Sequence, residues 1–385
     1  MPLKPPFGVL LVAGSKTHQE NYGPGFAADP RARIIAVSDE PGVDARRSEL
    51  DRRFAAEMGV PLMPDLAEAL ARSDVHVVSV CVEFERRARV AARCAAAGKH
   101  VYLDKPLATT VEDATFLVEA VRQAGVRSQM VTHFGAPYAQ RAKSVVDSGA
   151  LGPFQAIHCD LMFAKGYPGG VPLDKPRQER FPPTRFTFPD VKRELWTTAV
   201  YSLTLIRWLA GGREFRSVYA TTANYFFAEH YRQDVEDFGA LALTLEGGLT
   251  ATITAGRIGW QSHPGSGPNF VRLFGSKGSV LLDAHQPRFE IASEQSAWIP
   301  PPRDPGDPMG FWKSTQDKAG LRPKPGWYVP ETLPARSDQA MFLDAIEQDR
   351  EAEVTAADGA KATEAMLAAY KSAATGQVVQ LPLRP

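Results

Sequence analysis

Four apolar runs, each the length of a buried strand and each followed by a helical segment, constrain the first third of this chain more than any other feature. They are Gly8 to Ala13 (GVLLVA), Arg33 to Ser38 (RIIAVS), Val75 to Val82 (VHVVSVCV) and His100 to Leu103 (HVYL). Runs rich in Val, Ile and Leu, with little alternation, belong to strands buried on both faces. Between the first two lies a crossover segment, His18 to Asp29. Arg46 to Met58 reads as a helix, with Leu50, Phe54 and Met58 four apart on one face. Arg86 to Gly98 is an Ala-rich helix that stops at its glycine, and Thr110 to Ala124 is another, with Thr110 and Asp113 at capping-box spacing. Strands alternating with helices of this length make a parallel, doubly wound sheet of the Rossmann type. Such a sheet takes its ligands at the carboxyl ends of the strands, here Gly14–Lys16, Asp39, Val82–Glu85 and Asp104–Pro106.

After about Arg127 the pattern changes. Closely spaced strands appear at Phe154 to Met162, Arg216 to Phe227, Ala240 to Leu245, Leu249 to Gly256 and Phe270 to Phe274, with Gly-rich turns between some of them. One helix, Leu195 to Ala210, interrupts them, and two more (Ser337–Gln348 and Ala357–Ala374) close the chain. A chain of 385 residues is too long for one ordinary core. The expectation is therefore two domains: residues 1–127, a dinucleotide-binding α/β unit, and residues 128–385, an α/β unit with a mostly antiparallel open sheet. Two Pro-rich segments, Tyr167 to Pro189 and Trp298 to Pro334, are long for loops and read as ordered flaps near a site or a subunit contact.

Charge excludes one class of partner. Lys+Arg and Asp+Glu both total 44, so no basic excess exists to neutralise phosphates, and nucleic acid is not expected. The apolar run near the N-terminus is too short to span a membrane and lacks a signal-peptide cleavage site, which makes the cytoplasm the plain reading. Cys81, Cys94 and Cys159 show no metal spacing; the first two read as small buried hydrophobes, in keeping with a reducing compartment. His133, His158, His230 and His263 likewise show no metal spacing and read as hydrogen-bonded or exposed residues. A small, roughly neutral molecule is the expected partner.

The segment Ala97 to Leu107 (AGKHVYLDKPL) joins a helix stop, a strand and a Lys-Pro at the strand's carboxyl end. It closely resembles the AGKHV…EKP stretch of the Gfo/Idh/MocA oxidoreductase family. Asp147 to Gly152 (DSGALG) is similar to that family's SGALG turn, Phe274 to Gly278 (FGSKG) to its FGTKG, and Phe342 to Ile346 (FLDAI) to its FLDAI helix. The resemblance implies a Rossmann domain holding NAD or NADP, a sugar, cyclitol or related polyol as substrate, and a homodimer or homotetramer. It implies that Lys105 reaches both the nicotinamide ribose and the reacting hydroxyl, where an ammonium eases formation of an alkoxide. The bland reading of Lys105 is a surface lysine before a turn proline. Thr197 to Leu203 (TTAVYSL) sits where the family has DxGxH or DxGCY, so Tyr201 falls on the catalytic His/Tyr position and Thr197 on the aspartate. Residues four apart share a helix face, and the resemblance implies Tyr201 as the acid/base with Thr197 as its orienter. An interfacial tyrosine on an amphipathic helix would look the same.

The cofactor residues implied are Gly14, Ser15, Lys16, Asp39, Glu83, Asp104 and Lys105. Two of these places depart from the family's pattern. Its GxGxxG loop is here Gly14-Ser15-Lys16-Thr17-His18-Gln19, which keeps only the first glycine. A lysine at the second glycine brings a Cβ and a long side chain toward the pyrophosphate, or an ammonium to pair with it. Asp39 would hold the adenine ribose 2′-OH and favour NAD, although an acid there also serves as a turn residue. The family's TPN is replaced by Val82-Glu83-Phe84-Glu85, whose carboxylates would repel a pyrophosphate unless they point away. Lys105 and Tyr201 favour a dehydrogenase. The changes at Lys16, Gln19, Glu83-Phe84 and Thr197 favour a redox-silent relative that binds a sugar-like ligand or a partner, or non-redox sugar chemistry. A homo-oligomer is expected through the C-terminal sheet, because its strands carry apolar or aromatic residues on both alternations: Val218, Tyr225, Phe226, Phe227, Leu241, Leu243, Leu245 and Ile253.

Overall fold

A computed structural model of the chain describes residues 3–132, 134, 136–163, 169–186, 191–258, 269–283, 288–293, 326–328 and 336–383. It falls into two compact units: Met1–Gly135 with Arg336–Glu364, and Ala136–Ala335 with Ala365–Pro385.

In the first unit, β1 (Phe7–Val12), β2 (Ala32–Ser38), β3 (Leu62–Met63), β4 (Val77–Val80), β5 (His100–Leu103) and β6 (Ser128–Met130) form one sheet in the order β3-β2-β1-β4-β5-β6. Every pairing is parallel. Every residue of β1 and β4 is buried, which is why neither shows an alternation. The helices are α1 (Gln19–Ala27), α2 (Ala45–Met58), α3 (Leu66–Leu70), α4 (Phe84–Ala96) and α5 (Val111–Ala124). Helix α2 starts at Asp44, whose carboxylate accepts from the Arg47 backbone N–H at 2.8 Å, and α5 starts at Thr110, which accepts from the Asp113 N–H at 3.0 Å.

The boundary drawn at residues 127/128 is corrected here. Ser128, Gln129 and Met130 pair with Val101, Tyr102 and Leu103, so the first sheet continues past it. The three-residue segment SQM carries no apolar run to announce a strand. A later helix, Asp338–Glu347, also belongs to this unit: Phe342, Leu343, Ala345 and Ile346 share a core with Phe7, Val9, Leu11 and Tyr102. Burying a large apolar side chain is worth about 1.5–3 kcal/mol, so such a face goes wherever apolar surface waits for it, regardless of sequence distance.

The second unit opens with α6 (Pro137–Asp147), β7 (Phe154–Phe163), α7 (Glu194–Leu209), β8 (Phe215–Ala223) and α8 (Ala228–Arg232). Next come β9 (Phe238–Leu245), β10 (Thr250–Arg257), β11 (Asn269–Gly275), β12 (Gly278–Asp283), β13 (Arg288–Ser293) and β14 (Gly326–Tyr328). The Asp338–Glu347 helix is α9; α10 (Ala356–Thr375) and β15 (Val379–Gln380) end the chain. The sheet order is β14-β13-β12-β11-β7-β10-β9-β8-β15, antiparallel at every pairing except β10 with β7. Gly239 lets α7 lie close, since a Cβ there would stand 2.7 Å from a methyl of Leu195.

Two expectations fail in this sheet. β8 ends at Ala223, because the N–H groups of Tyr225, Phe226 and Phe227 all turn to the buried Asp237 carboxylate at 2.9 Å instead of a neighbouring strand. Nor are both alternations apolar: Val218, Leu241, Leu243, Leu245 and Ile253 are all buried, while the intervening Tyr219, Ala242, Thr244 and Thr252 are exposed. Of the first Pro-rich segment, residues 169–186 are described, and Arg177 is tied there to Glu179 and Asp234. The second lies outside the described residues apart from β14, as do His133 and His263. Among the described residues no helix is long and apolar enough to cross a membrane.

Candidate active site

At the switch point of the first sheet, β1 and β4 are neighbours whose following helices diverge, and the loops at their carboxyl ends form the crevice of this architecture. Gly14 opens the first of these loops. A Cβ there would lie 2.9 Å from the Asp51 Cα, the Leu50 carbonyl oxygen and the Phe54 Cβ, so only glycine lets α2 approach. The loop is held by α2 side chains. The Gly14 N–H donates to Asp51 Oδ1 at 2.7 Å, Arg47 Nε donates to the same oxygen at 2.9 Å, and Arg47 Nη2 donates to the Ser15 carbonyl at 2.7 Å. Burial pushes the Asp51 carboxyl up to about 6; Arg47 opposes the rise and the Asp39 charge adds to it.

Lys16 is exposed and left-handed, with φ 63°, the conformation glycine adopts at least cost. The loop thus keeps a glycine-type turn with a lysine in it. Gln19, at the place of the third glycine, is fully buried and reaches β4: its amide donates to the Ser79 carbonyl at 3.0 Å and accepts from the Ser79 hydroxyl at 2.8 Å.

At the end of β2, Asp39 is buried and clamped by Arg86, with Nη1 2.6 Å from Oδ1 and Nη2 2.8 Å from Oδ2. The same guanidinium takes Glu83 Oε2 at 2.6 Å. That contact commits the Glu83 carboxylate, and repulsion of a pyrophosphate is reduced accordingly. Glu40 pairs with Arg93.

At the end of β5 Asp104 is buried at 1% exposure and gathers three donors. The His18 ring Nδ1 lies 3.0 Å from Oδ1, the Tyr22 hydroxyl donates to Oδ1 at 2.8 Å, and Arg87 Nη2 donates to Oδ2 at 2.7 Å. Arg87 also donates to the carbonyls of Val82 at 2.9 Å and Pro106 at 2.6 Å, joining the ends of β4 and β5. Burial works against the Asp104 charge, but Arg87, His18 and Lys105 outweigh it and hold the carboxyl well below the usual carboxylate range. Lys105 itself is nearly buried.

His18, Cys81 and Asp104 bring ligand-type atoms within 4.8 Å of one another. The set does not suit a metal ion. The Asp104 oxygens are already engaged by three donors, and burial, reinforced by Asp104, pushes the Cys81 thiol up and away from thiolate.

In the second unit Thr197 and Tyr201 lie one turn apart on α7. Thr197 is buried, and its hydroxyl donates back to the Arg193 carbonyl at 3.1 Å; Tyr201 is half-buried. Of the histidines read as non-ligands, His158 bonds Thr252, and His230 Nε2 lies 3.2 Å from Glu194 Oε1.

The structure therefore joins Gly14 and Ser15 through α2, Asp39 and Glu83 through Arg86, and Asp104 to the loop through His18 and Tyr22. Sequence reasoning missed Arg47, Asp51, Arg86, Arg87, His18 and Tyr22. For Arg47 and Asp51 a signal existed: opposite charges four apart on a helix.

Comparison with known proteins bears on this arrangement. Residues 8–133 match the GFO_IDH_MocA model, described as an oxidoreductase family with an NAD-binding Rossmann fold, and residues 139–281 match the GFO/IDH/MocA C-terminal domain. A curated relative, inositol 2-dehydrogenase 3 of Saccharopolyspora erythraea, is 34% identical over 131 residues, 33% of this chain and 37% of that protein. A second, 1-carboxy-3-chloro-3,4-dihydroxycyclo hexa-1,5-diene dehydrogenase of Comamonas testosteroni, is 33% identical over 138 residues, 35% of this chain and 33% of that protein. These curated relatives are thus matched over about a third of their own length. Levoglucosan dehydrogenase, solved with NADH and levoglucosan, superposes with a TM-score of 0.73 at 18% identity, covering 98% of this chain and 100% of that one, and so shares the fold.

Proposed function

From the premise that the chain belongs to the Gfo/Idh/MocA oxidoreductase family, we propose that it is an NAD(P)-dependent dehydrogenase or reductase acting on one secondary hydroxyl or carbonyl of a sugar, cyclitol or related polyol. The observation that carries this reading is the link between the β1 loop and the Asp104-Lys105 pair, made by His18 and Tyr22 on one buried carboxylate. It supports a single site in which Gly14, Ser15 and Lys16 meet the pyrophosphate while Lys105 stands at the nicotinamide end.

The residues present fit a dinucleotide. The left-handed turn at Lys16 is kept, Gly14 is irreplaceable where it stands, and Glu83 is engaged by Arg86. When bound, the nicotinamide ring supplies the hydride acceptor or donor. Asp39, Glu40 and Glu83 set three carboxylates against the guanidiniums of Arg86 and Arg93 at the β2 end, a balance that favours NAD over a 2′-phosphorylated cofactor. Lys105 polarises the reacting oxygen, and an oriented acid/base group exchanges its proton; the family resemblance gives that place to Tyr201, with Thr197 beside it on α7. The relatives named as inositol and dihydroxycyclohexadiene dehydrogenases support the polyol class.

One observation favours a redox-silent reading: the Thr197 hydroxyl spends its proton on its own helix, where a carboxylate would otherwise orient Tyr201. Titration with NADH and NADPH, followed by nicotinamide emission, decides between the two. The dehydrogenase reading expects saturable binding with NADH preferred, and absence of binding by either sinks it.

A further inference from the structure

We propose that His18 is a proton-transfer group of this site, an imidazole oriented by the buried Asp104 carboxylate and open to a substrate hydroxyl; the proposal rests on the oxidoreductase reading above. His18 ends the loop that follows β1, as the N-cap of α1, and Asp104 lies at the carboxyl end of β5, immediately before Lys105. These are the strand ends where ligands of a doubly wound sheet bind. The side chain of His18 is 28% exposed and that of Asp104 only 2%. The ring edge away from Asp104 is therefore the part that meets solvent.

The geometry has the parts of an oriented base. Nδ1 lies 3.0 and 3.1 Å from the two Asp104 oxygens. With Arg87 and Tyr22 donating to Asp104, the carboxylate's role toward His18 is to accept from Nδ1–H, which leaves Nε2 as the basic nitrogen. Tyr22 and Arg87 hold the carboxylate from its other sides, at 2.8 and 2.7 Å, so it cannot turn away. The His18 backbone N–H donates to Cys81 Sγ at 3.2 Å, and the Tyr22 ring sits 6.0 Å from the imidazole. Backbone and ring are both fixed. A histidine needed only to brace the loop would not require a half-open ring on a carboxylate fixed by two further donors.

In the oxidation direction the substrate O–H bond breaks and its proton goes to Nε2. A bound nicotinamide would take up the hydride as the C–H bond breaks with its electron pair and the carbon–oxygen double bond forms. The resulting imidazolium is stabilised by Asp104, and in the reverse direction it returns the proton. The groups facing this exchange are Asp104, Tyr22, Arg87 and Cys81, with Lys105 next in the chain, and their charges shape its pH dependence.

The test uses His18→Gln, which keeps an amide to bond Asp104 but cannot carry a proton, with His18→Ala as a second variant and far-UV circular dichroism as the check on folding. Diethyl pyrocarbonate labelling, mapped by peptide mass spectrometry with and without NADH, reads the ring independently of turnover. The proposal expects His18 to be carbethoxylated in the free protein and protected by NADH. It expects His18→Gln to bind NADH within about threefold of wild type and to lose roughly 100-fold or more in turnover of the best substrate from a cyclitol panel headed by myo-inositol. The proposal falls if NADH binds but leaves His18 labelling unchanged, or if His18→Gln turns over within about fivefold with the wild-type pH profile. If neither NADH nor NADPH binds wild-type protein, the oxidoreductase reading falls first and takes this proposal with it.

Discussion

Replacing Asp51 by alanine tests whether α2 carries the cofactor loop. In the folded chain one oxygen, Asp51 Oδ1, accepts from the Gly14 N–H at 2.7 Å and from Arg47 Nε at 2.9 Å. Asp51 and Arg47 are 2% and 6% exposed, so water cannot readily replace the carboxylate. An unsatisfied buried N–H costs about 1–3 kcal/mol, and stripping the partner from a buried ion costs about 3–5 kcal/mol. The two losses share one site and are not additive, so Asp51→Ala should lower stability by about 3–5 kcal/mol. Asp51→Asn keeps an acceptor for Gly14 and should lose less.

The charge adds a pH signature. The folded pKa of about 6 lies above the ordinary 3.8, so the folded protein holds this proton more tightly than the open chain. That contribution is fully present below the ordinary value and is lost as pH rises through about 6; Asp51→Asn should flatten this slope. No tryptophan occurs in the first unit and Trp196 and Trp208 lie on α7 of the second, so tryptophan emission is blind to the first unit while far-UV circular dichroism follows both. Urea unfolding read both ways, with hydrogen exchange of the peptide spanning Gly14, separates local from general damage. If Asp51→Ala stays within about 0.5 kcal/mol of wild type and the Gly14 peptide keeps its protection, α2 does not hold the loop.

Three further outcomes are expected. Lys105→Ala should abolish turnover while NADH affinity and the melting temperature stay close to wild type; activity within a few-fold would remove Lys105 as the polarising group. Lys16→Gly relieves a left-handed non-glycine residue and should raise stability by about 1 kcal/mol in urea; no gain would show that Lys16 makes compensating contacts. The outer face of the second sheet is less apolar than expected, so the homodimer rests on the family resemblance and the exposed Tyr219. If that face joins two copies, Tyr219→Arg with Thr252→Arg should dissociate them, and wild type sedimenting near the 42.0 kDa chain mass at low micromolar concentration would exclude a dimer.

The parallel sheet was legible because its central strands are buried on both faces and say so in their composition: β1, β4 and β5 are almost wholly apolar. What stayed hidden has a common cause. β6 is the polar tripeptide SQM, a strand only because β5 lies beside it, and α9 finds its core with β1, more than 300 residues earlier in the chain. Periodicity reports the face an element must bury, never the partner against which it buries it. The outer face of the second sheet misled for a related reason. Tyr225, Phe226 and Phe227 continue the apolar look of β8, but Asp237 collects their N–H groups and ends the strand.

The site divides along the same line. Positions fixed by where strands end, such as Gly14, Asp39, Asp104 and Lys105, follow from local pattern. The partners that give them chemistry lie 32 to 86 residues away in sequence: Arg47 for Ser15, Arg86 for Asp39, Tyr22 and His18 for Asp104. The missing third glycine shows what this does to a motif argument. Taken alone, Gln19 counts against a cofactor loop, because a side chain there should push α1 off the sheet. In the fold Gln19 is paired twice with Ser79, 60 residues on, and the helix stays in place with no buried amide left unsatisfied at that position. Loss of a glycine is evidence of lost function only where nothing opposite has changed to receive the side chain. Here Ser79 does receive it, so the departure at Gln19 weighs little against the dehydrogenase reading, and the burden of the redox-silent alternative rests on Thr197.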